Sequence, residues 1–357
     1  MYSQVIPQKL NLLSDYSFEK INFSSFTEKD WGQLLSLDEL IEHEMSPKRE
    51  YSPILGKRMF SIERPGVYVE YWIVRSIKDS SQIVGYAMYN VLTPEASDYP
   101  GNGNKVRTWI VVHPQHRRKK IGSSLLKILC HRGIESGKTE LTASTSLIDG
   151  QKFFKRFTDK TALDSAENEL DLEQINWDEI KKWNNDSKES SPDTVIETYE
   201  SLRDDLIEEY AQVQTSLLND IPFGNLGLSF IISADQIRKW GNYTKKLGFI
   251  SIIKVSREKD GRISGLTEIK FNHLTPTLIE QELTGVLQKY RGRRLGLRLK
   301  TDMLLTIKER FPEAKIILTG NADENAPMLR INHQLGFKRA FSWKAYRFQL
   351  KELIEKI

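Results

Sequence analysis

Two short basic runs are the parts of this sequence best suited to chemistry. The first is Arg117-Arg118-Lys119-Lys120-Ile121-Gly122 and the second is Arg291-Gly292-Arg293-Arg294-Leu295-Gly296. Each follows a short apolar, β-branched stretch and precedes an apolar pattern of helical spacing. At such a place the first N–H groups of the helix have no internal partner, and the helix dipole adds partial positive charge. Main-chain amides aimed at one point suit a phosphate or pyrophosphate. A glycine in the turn lets backbone approach the ligand where a Cβ would obstruct it. The expected ligand-binding residues are therefore Val112, Arg117, Arg118, Lys119, Lys120, Gly122 and Ser123 in the first run. In the second they are Val286, Arg291, Gly292, Arg293, Arg294, Gly296 and Leu297.

The two runs are one pattern written twice. With Arg117 laid on Arg291, Val112 meets Val286, Gly122 meets Gly296 and Leu125 meets Leu299, a constant offset of 291 − 117 = 174. That period is too long for a solenoid and fits a duplicated domain. The surroundings repeat as well. A helical stretch and two strands precede each run (VYVEYWIVRS and QIVGYAMYNVL in the first, FISIIKVSRE and RISGLTEIKFNHL in the second), and a short strand comes after each (ELTASTS and KIILTGN). Strand, turn, helix and strand in this order predict one parallel crossover in an otherwise mostly antiparallel sheet flanked by helices, an α/β class of the α+β type. The expected division is 1–183 for the first domain, a polar linker at 184–193 (NNDSKESSPD), and 194–357 for the second, opened by a helix over TVIETYESLRDDLIEEYAQVQTSLL.

At this point the residues resemble the GNAT N-acetyltransferases. The frames Arg117-x-x-Lys120-x-Gly122 and Arg291-x-x-Arg294-x-Gly296 are similar to that family's turn, with Lys120 and Arg294 where its middle glycine stands. In the family the turn holds the pyrophosphate of acetyl-CoA. NAPMLRINHQLGF, residues 325–337, resembles the family helix that lies beside the pantetheine arm, with Asn325 at its head and Gly336-Phe337 at its close. The family's usual tyrosine, the acid for the departing thiolate, is here Asn332. The tandem arrangement is similar to that of mycothiol synthase and related two-domain enzymes, in which the C-terminal copy is catalytic. The first copy has no closing Gly-Phe.

The resemblance implies two tandem GNAT-like domains and attack of an amine on the thioester of acetyl-CoA, with no metal. The second copy is expected to be catalytic and the first degenerate, binding cofactor or serving structure. An N–H near Val286 would stabilise the oxyanion. Glu282, two strand pairs before Val286 on one face, would take the proton; its counterpart, 282 − 174 = 108, is Thr108, which favours the second copy. The assigned catalytic set is Glu282, Val286 and Asn332. The acceptor would be a primary amine of a small molecule or peptide. A non-catalytic acyl-CoA-binding or sensing module is the alternative.

Other residues take ordinary readings. Cys130, the one cysteine, falls in an apolar helical run as a small buried hydrophobe. His113 and His116 lack the further ligands a metal needs. A formal charge of +4 gives no strongly basic face, so no nucleic-acid partner is expected. With no apolar run of membrane length and no secretory leader, the expectation is a cytoplasmic monomer or homodimer.

Overall fold

The computed structural model describes residues 9–79 and 81–357. It forms two compact units. The first takes the described residues up to Asp164, with Gly224–Leu228 and Trp343–Ile357. The second takes Ser165–Phe223 and Ser229–Ser342.

The strands of the chain are β1 (Lys9–Leu13), β2 (Tyr16–Lys20), β3 (Val67–Ser76), β4 (Ile83–Leu92), β5 (Lys105–Val112), β6 (Glu140–Thr145), β7 (Leu163–Asp171), β8 (Val195–Tyr199), β9 (Phe249–Arg257), β10 (Ile263–Asn272), β11 (Leu278–Val286), β12 (Ile316–Ala322) and β13 (Lys338–Gln349). In the first unit β1 to β6 lie in chain order, and β13 joins antiparallel to β6 with Lys344 opposite Thr145. In the second the order is β8-β9-β10-β11-β12-β7, with β7 antiparallel to β12. Each sheet has one parallel pair, β5 with β6 and β11 with β12, joined through the helices Ile121–Glu135 and Leu295–Arg310.

Apolar periodicity fixes which faces are covered. Ile121, Leu125 and Leu129 bury one stripe against Trp72, Val106 and Leu141. Trp31, Leu34 and Ile41 of helix Glu28–Met45 cover the other face over Ile73, Tyr86 and Val111. In the second unit Met303, Leu304 and Ile307 pack on Ile252, Ile269, Ile279 and Ile317, while Leu206, Tyr210 and Val213 pack on Val255 and Leu266.

The structure corrects three expectations about organisation. Residues 184–193 are not a free linker: helix Trp177–Glu189 runs through them, and Ser187 and Ser191 are fully buried. Their small side chains allow close packing on helix Leu295–Arg310, where the Arg298 guanidinium donates to the Ser191 carbonyl (3.0 Å) and hydroxyl (3.1 Å). The helix expected from residue 194 begins at Asp204, because Val195, Ile196, Thr198 and Tyr199 form a strand against β9. The expected boundaries 1–183 and 194–357 also cut across the units, since most of β7 completes the second sheet and the C-terminal part of β13 completes the first.

Candidate active site

Both turns fold alike. A short 3-10 turn leads into each, and the residue before each helix, Lys120 or Arg294, is left-handed, with φ of 62° and 56°. Two residues earlier the chain is left-handed again, at Arg118 (64°) and Gly292 (82°). Lys120 and Arg294 thus stand in the conformation that favours glycine, and the two turns follow the same backbone path. No side chain caps either helix N-terminus, so the leading N–H groups of both remain available to a ligand.

The arginines that open the two motifs also hold their own turns in place. Arg117 Nε donates to the Val112 carbonyl (3.2 Å) and Arg291 Nε to the Val286 carbonyl (2.9 Å). The rest of Arg117 is held by Glu44 (2.8 Å) and Asp149 (3.3 Å), and that of Arg291 by Asp220 (2.8 Å). Each guanidinium thus staples its turn to the end of the preceding strand. Arg293 is likewise committed, to Glu258 (2.9 Å) and Thr194 (2.7 Å). These three side chains are tied to protein groups, while Arg118, Lys119, Lys120 and Arg294 supply the remaining charge of the turns.

In each sheet the parallel pairing is brief. β11 meets β12 only over Leu278–Glu280, and β5 meets β6 only over Lys105–Thr108; beyond these the strands part. In the second unit a bulge adds to the divergence. Between Thr267 and Ile269 of β10 the register slips, so that Glu282 and Leu283 oppose Glu268 alone. β5 pairs with β4 in unbroken register from Arg107 to Val112. A bulge bends its strand and re-aims the side chains beyond it. The Leu287 N–H donates to the Ser264 carbonyl (2.9 Å), and the alternation of an extended strand turns the Val286 N–H to the opposite edge, where β12 has left.

A cavity of about 760 Å³ opens at that place in the second unit. Its wall brings together Val286, Arg291, Gly292, Arg294, Gly296, Leu297 and Asn325 of the expected set. The helix over 325–337 adds Pro327, Met328, Ile331 and Gln334, while sequence reasoning missed Leu217, Asp220, Ile221 and Pro222 at the end of helix Asp204–Asn219, Trp183 and Asp186 on helix Trp177–Glu189, and Thr284 and Gly285 on the strand. Only the position of Thr284 and Gly285 directly before Val286 signalled them in the sequence. At Gly292 a Cβ would meet open space, whereas at Gly296 it would lie 3.0 Å from Ile331 Cδ1. The backbone here is bare toward the cavity, which fits the approach of a diphosphate.

Arg293 and two residues of the assigned catalytic set lie off this wall. The Glu282 carboxylate pairs with Lys270 Nζ at 2.8 Å, on the bulge. Asn332 is fully buried and its amide donates to Asn321 Oδ1 at 2.7 Å. In the first unit Gly122 faces the ring of Phe153, which a Cβ would meet at 3.5 Å, and the Ser123 hydroxyl accepts from Arg156 (3.4 Å). Cys130 is buried, and burial pushes its thiol up to about 12, so it is no nucleophile. His116 faces Tyr16 Oη at 3.1 Å, and the His113 ring accepts the Gln115 N–H at 3.3 Å; both are turn-holding groups.

Residues 31–157 match the family described as Acetyltransferase (GNAT) family. A tandem GNAT protein from the clavulanic acid biosynthesis pathway superposes with a TM-score of 0.74 at 18% identity, covering 94% of this chain and 99% of that one. The chain is a tandem GNAT-fold protein. A GCN5-related N-acetyltransferase from Sphaerobacter thermophilus is similar over 93% of this chain and 96% of its own (TM-score 0.62, 12% identity). Saccharomyces cerevisiae N-myristoyltransferase with bound myristoyl-CoA is similar over 97% and 81% (TM-score 0.58, 11% identity). No curated protein matches this chain. The family match falls on the first copy, the one that lacks the closing Gly-Phe. Among the described residues no helix is long and apolar enough to cross a membrane.

Proposed function

We propose that the second copy of this tandem GNAT protein is an acyl-CoA N-acyltransferase that moves an acetyl group from acetyl-CoA to a primary amine of a small molecule or peptide. One observation carries the reading. A single cavity joins the uncapped turn at Gly292–Leu297, the strand end Thr284–Val286 and the helix head at Asn325. The turn amides suit the pyrophosphate, the parted strand edge suits the pantetheine and thioester, and the Val286 N–H suits the oxyanion of the attacked carbonyl. Positioning of the amine against that carbonyl supplies much of the rate. The first copy, with a regular β5 and Phe153 set against Gly122, serves the fold.

Calorimetry with acetyl-CoA, then thiol release over a panel of amines, tests the proposal. Binding with amine-dependent thiol release is the expected result. Absence of binding by CoA and acetyl-CoA alike overturns it. Glu282, off the cavity wall and paired with Lys270, takes the ammonium proton through water in this scheme, so Glu282→Gln should lower kcat and leave acetyl-CoA affinity unchanged.

A second reading, an acyl-CoA-binding or sensing module without turnover, has its own support. Asn332 stands where an acid is usual and is buried in an amide contact, and Glu282 is held by Lys270. Tight acyl-CoA binding with no thiol release across the panel selects this reading.

A further inference from the structure

The size of the acyl group is set by what closes the cavity beside Val286. Gly285 has no side chain on the wall there, and a Cβ built on it would lie 2.8 Å from Leu217 Cδ2. Leu217 itself is 3% exposed and packs into the core with Leu206, Tyr210, Val213 and Leu266. The core around it also contains polar contacts. Tyr210 and Gln214, on the same stripe of helix Asp204–Asn219, donate to the half-buried Glu268 carboxyl, Gln214 at 3.4 Å. A chain that passed Leu217 would have to displace packed core or press methylenes onto a hydrogen-bonded carboxyl, and either is costly. At the equivalent position of the first copy, 285 − 174 = 111, Val111 fills its own space in the core.

We propose that Leu217, seated on Gly285, ends the acyl space of the second copy and restricts it to short acyl groups. The inference rests on the acyl-CoA reading above. It makes Leu217 a specificity-determining residue rather than a catalytic one.

Calorimetric titration of the full chain with CoA, acetyl-CoA and hexanoyl-CoA tests both levels. The wild-type chain should bind CoA and acetyl-CoA, and bind hexanoyl-CoA weaker by about tenfold or more. Leu217→Ala should bring hexanoyl-CoA to within about twofold of acetyl-CoA, while CoA affinity stays as in wild type. Leu217→Val removes one methylene and serves where alanine unfolds the unit; it should narrow the gap between hexanoyl-CoA and acetyl-CoA in part. If wild type takes hexanoyl-CoA as readily as acetyl-CoA, or if neither variant narrows the gap, the restriction is not Leu217 and this inference falls while the acyl-CoA reading stands. If CoA and acetyl-CoA also fail to bind wild type, both fall together.

Discussion

Arg291 and Gly296 stand five residues apart on one turn and do opposite things. Arg291 spends its guanidinium on the Val286 carbonyl and Asp220, so its charge shapes the turn before any ligand arrives. Gly296 contributes by having no side chain. Gly296→Glu would set bulk against Ile331 and a negative charge where a phosphate is expected, and should abolish acetyl-CoA binding with little loss of thermal stability. Calorimetry beside a melting curve checks this, and retained affinity would place the diphosphate elsewhere. Glu268 makes a second prediction. Burial, then the nearby Glu282, pushes its carboxyl up to about 8 from an ordinary 4.5. Between those values the native chain holds a proton that the unfolded chain has released, so this group lowers stability as pH rises through that window. The slope is at most about 1.4 kcal/mol per pH unit. Glu268→Gln should flatten the decline, making the variant gain on wild type in melting temperature from pH 5 to pH 8. An unchanged difference across that range would show that Glu268 is ionised throughout. None of this was legible in the sequence, where Glu268 is one charge among many. Asn332 and Glu282 could be named from motif and register, but their partners, Asn321 and Lys270, come from folding.

At the scale of elements the duplication was legible because it is carried by local rules. β-branched runs make strands, the i, i+4 apolar stripe makes the two motif helices, and each turn lies between them. The bulge at Glu282–Leu283 was not, since nothing in the residues of one strand reveals which partner residue they will share. The serines of 187–191 misled for a related reason: small polar residues mark both flexible segments and tight helix contacts, and only the neighbour decides. The turns carry a cost that sequence does show once their shape is known. A non-glycine residue in the left-handed region costs roughly 1–2 kcal/mol, partly offset by the greater entropy a glycine loses on folding. Arg294→Gly should therefore stabilise the second unit by about 0.5–1 kcal/mol in denaturant unfolding. Destabilisation would mean that the Arg294 side chain makes a contact worth more than the strain it imposes.

For the whole molecule, the division of the chain into units differs from its division in sequence. Trp343–Ile357 brings Tyr346, Phe348, Leu350 and Leu353 into the core of the first unit, all of them buried. At roughly 1.5–3 kcal/mol for each such side chain, their loss is comparable with the whole stability of a domain. A chain ending at Ser342 should thus lose amide-exchange protection first along β6 and helix Ile121–Glu135, near its other end, while β9 and β10 keep theirs. Equal loss in both units, or loss confined to the second, would contradict this. Residues 1–183 expressed alone should not give a folded domain, however complete their motif is as sequence.

That borrowed final strand has a consequence for biosynthesis. A ribosome emits the first copy before the second, but the residues that finish its hydrophobic interior, Trp343–Ile357, emerge only after the second copy has been made. Until Tyr346, Phe348, Leu350 and Leu353 have emerged, Val106, Leu141 and Phe154 lack companions they meet in the native protein. The copy made earlier is therefore sealed only after the later one, and a message truncated before Trp343 leaves the earlier-made copy unfinished.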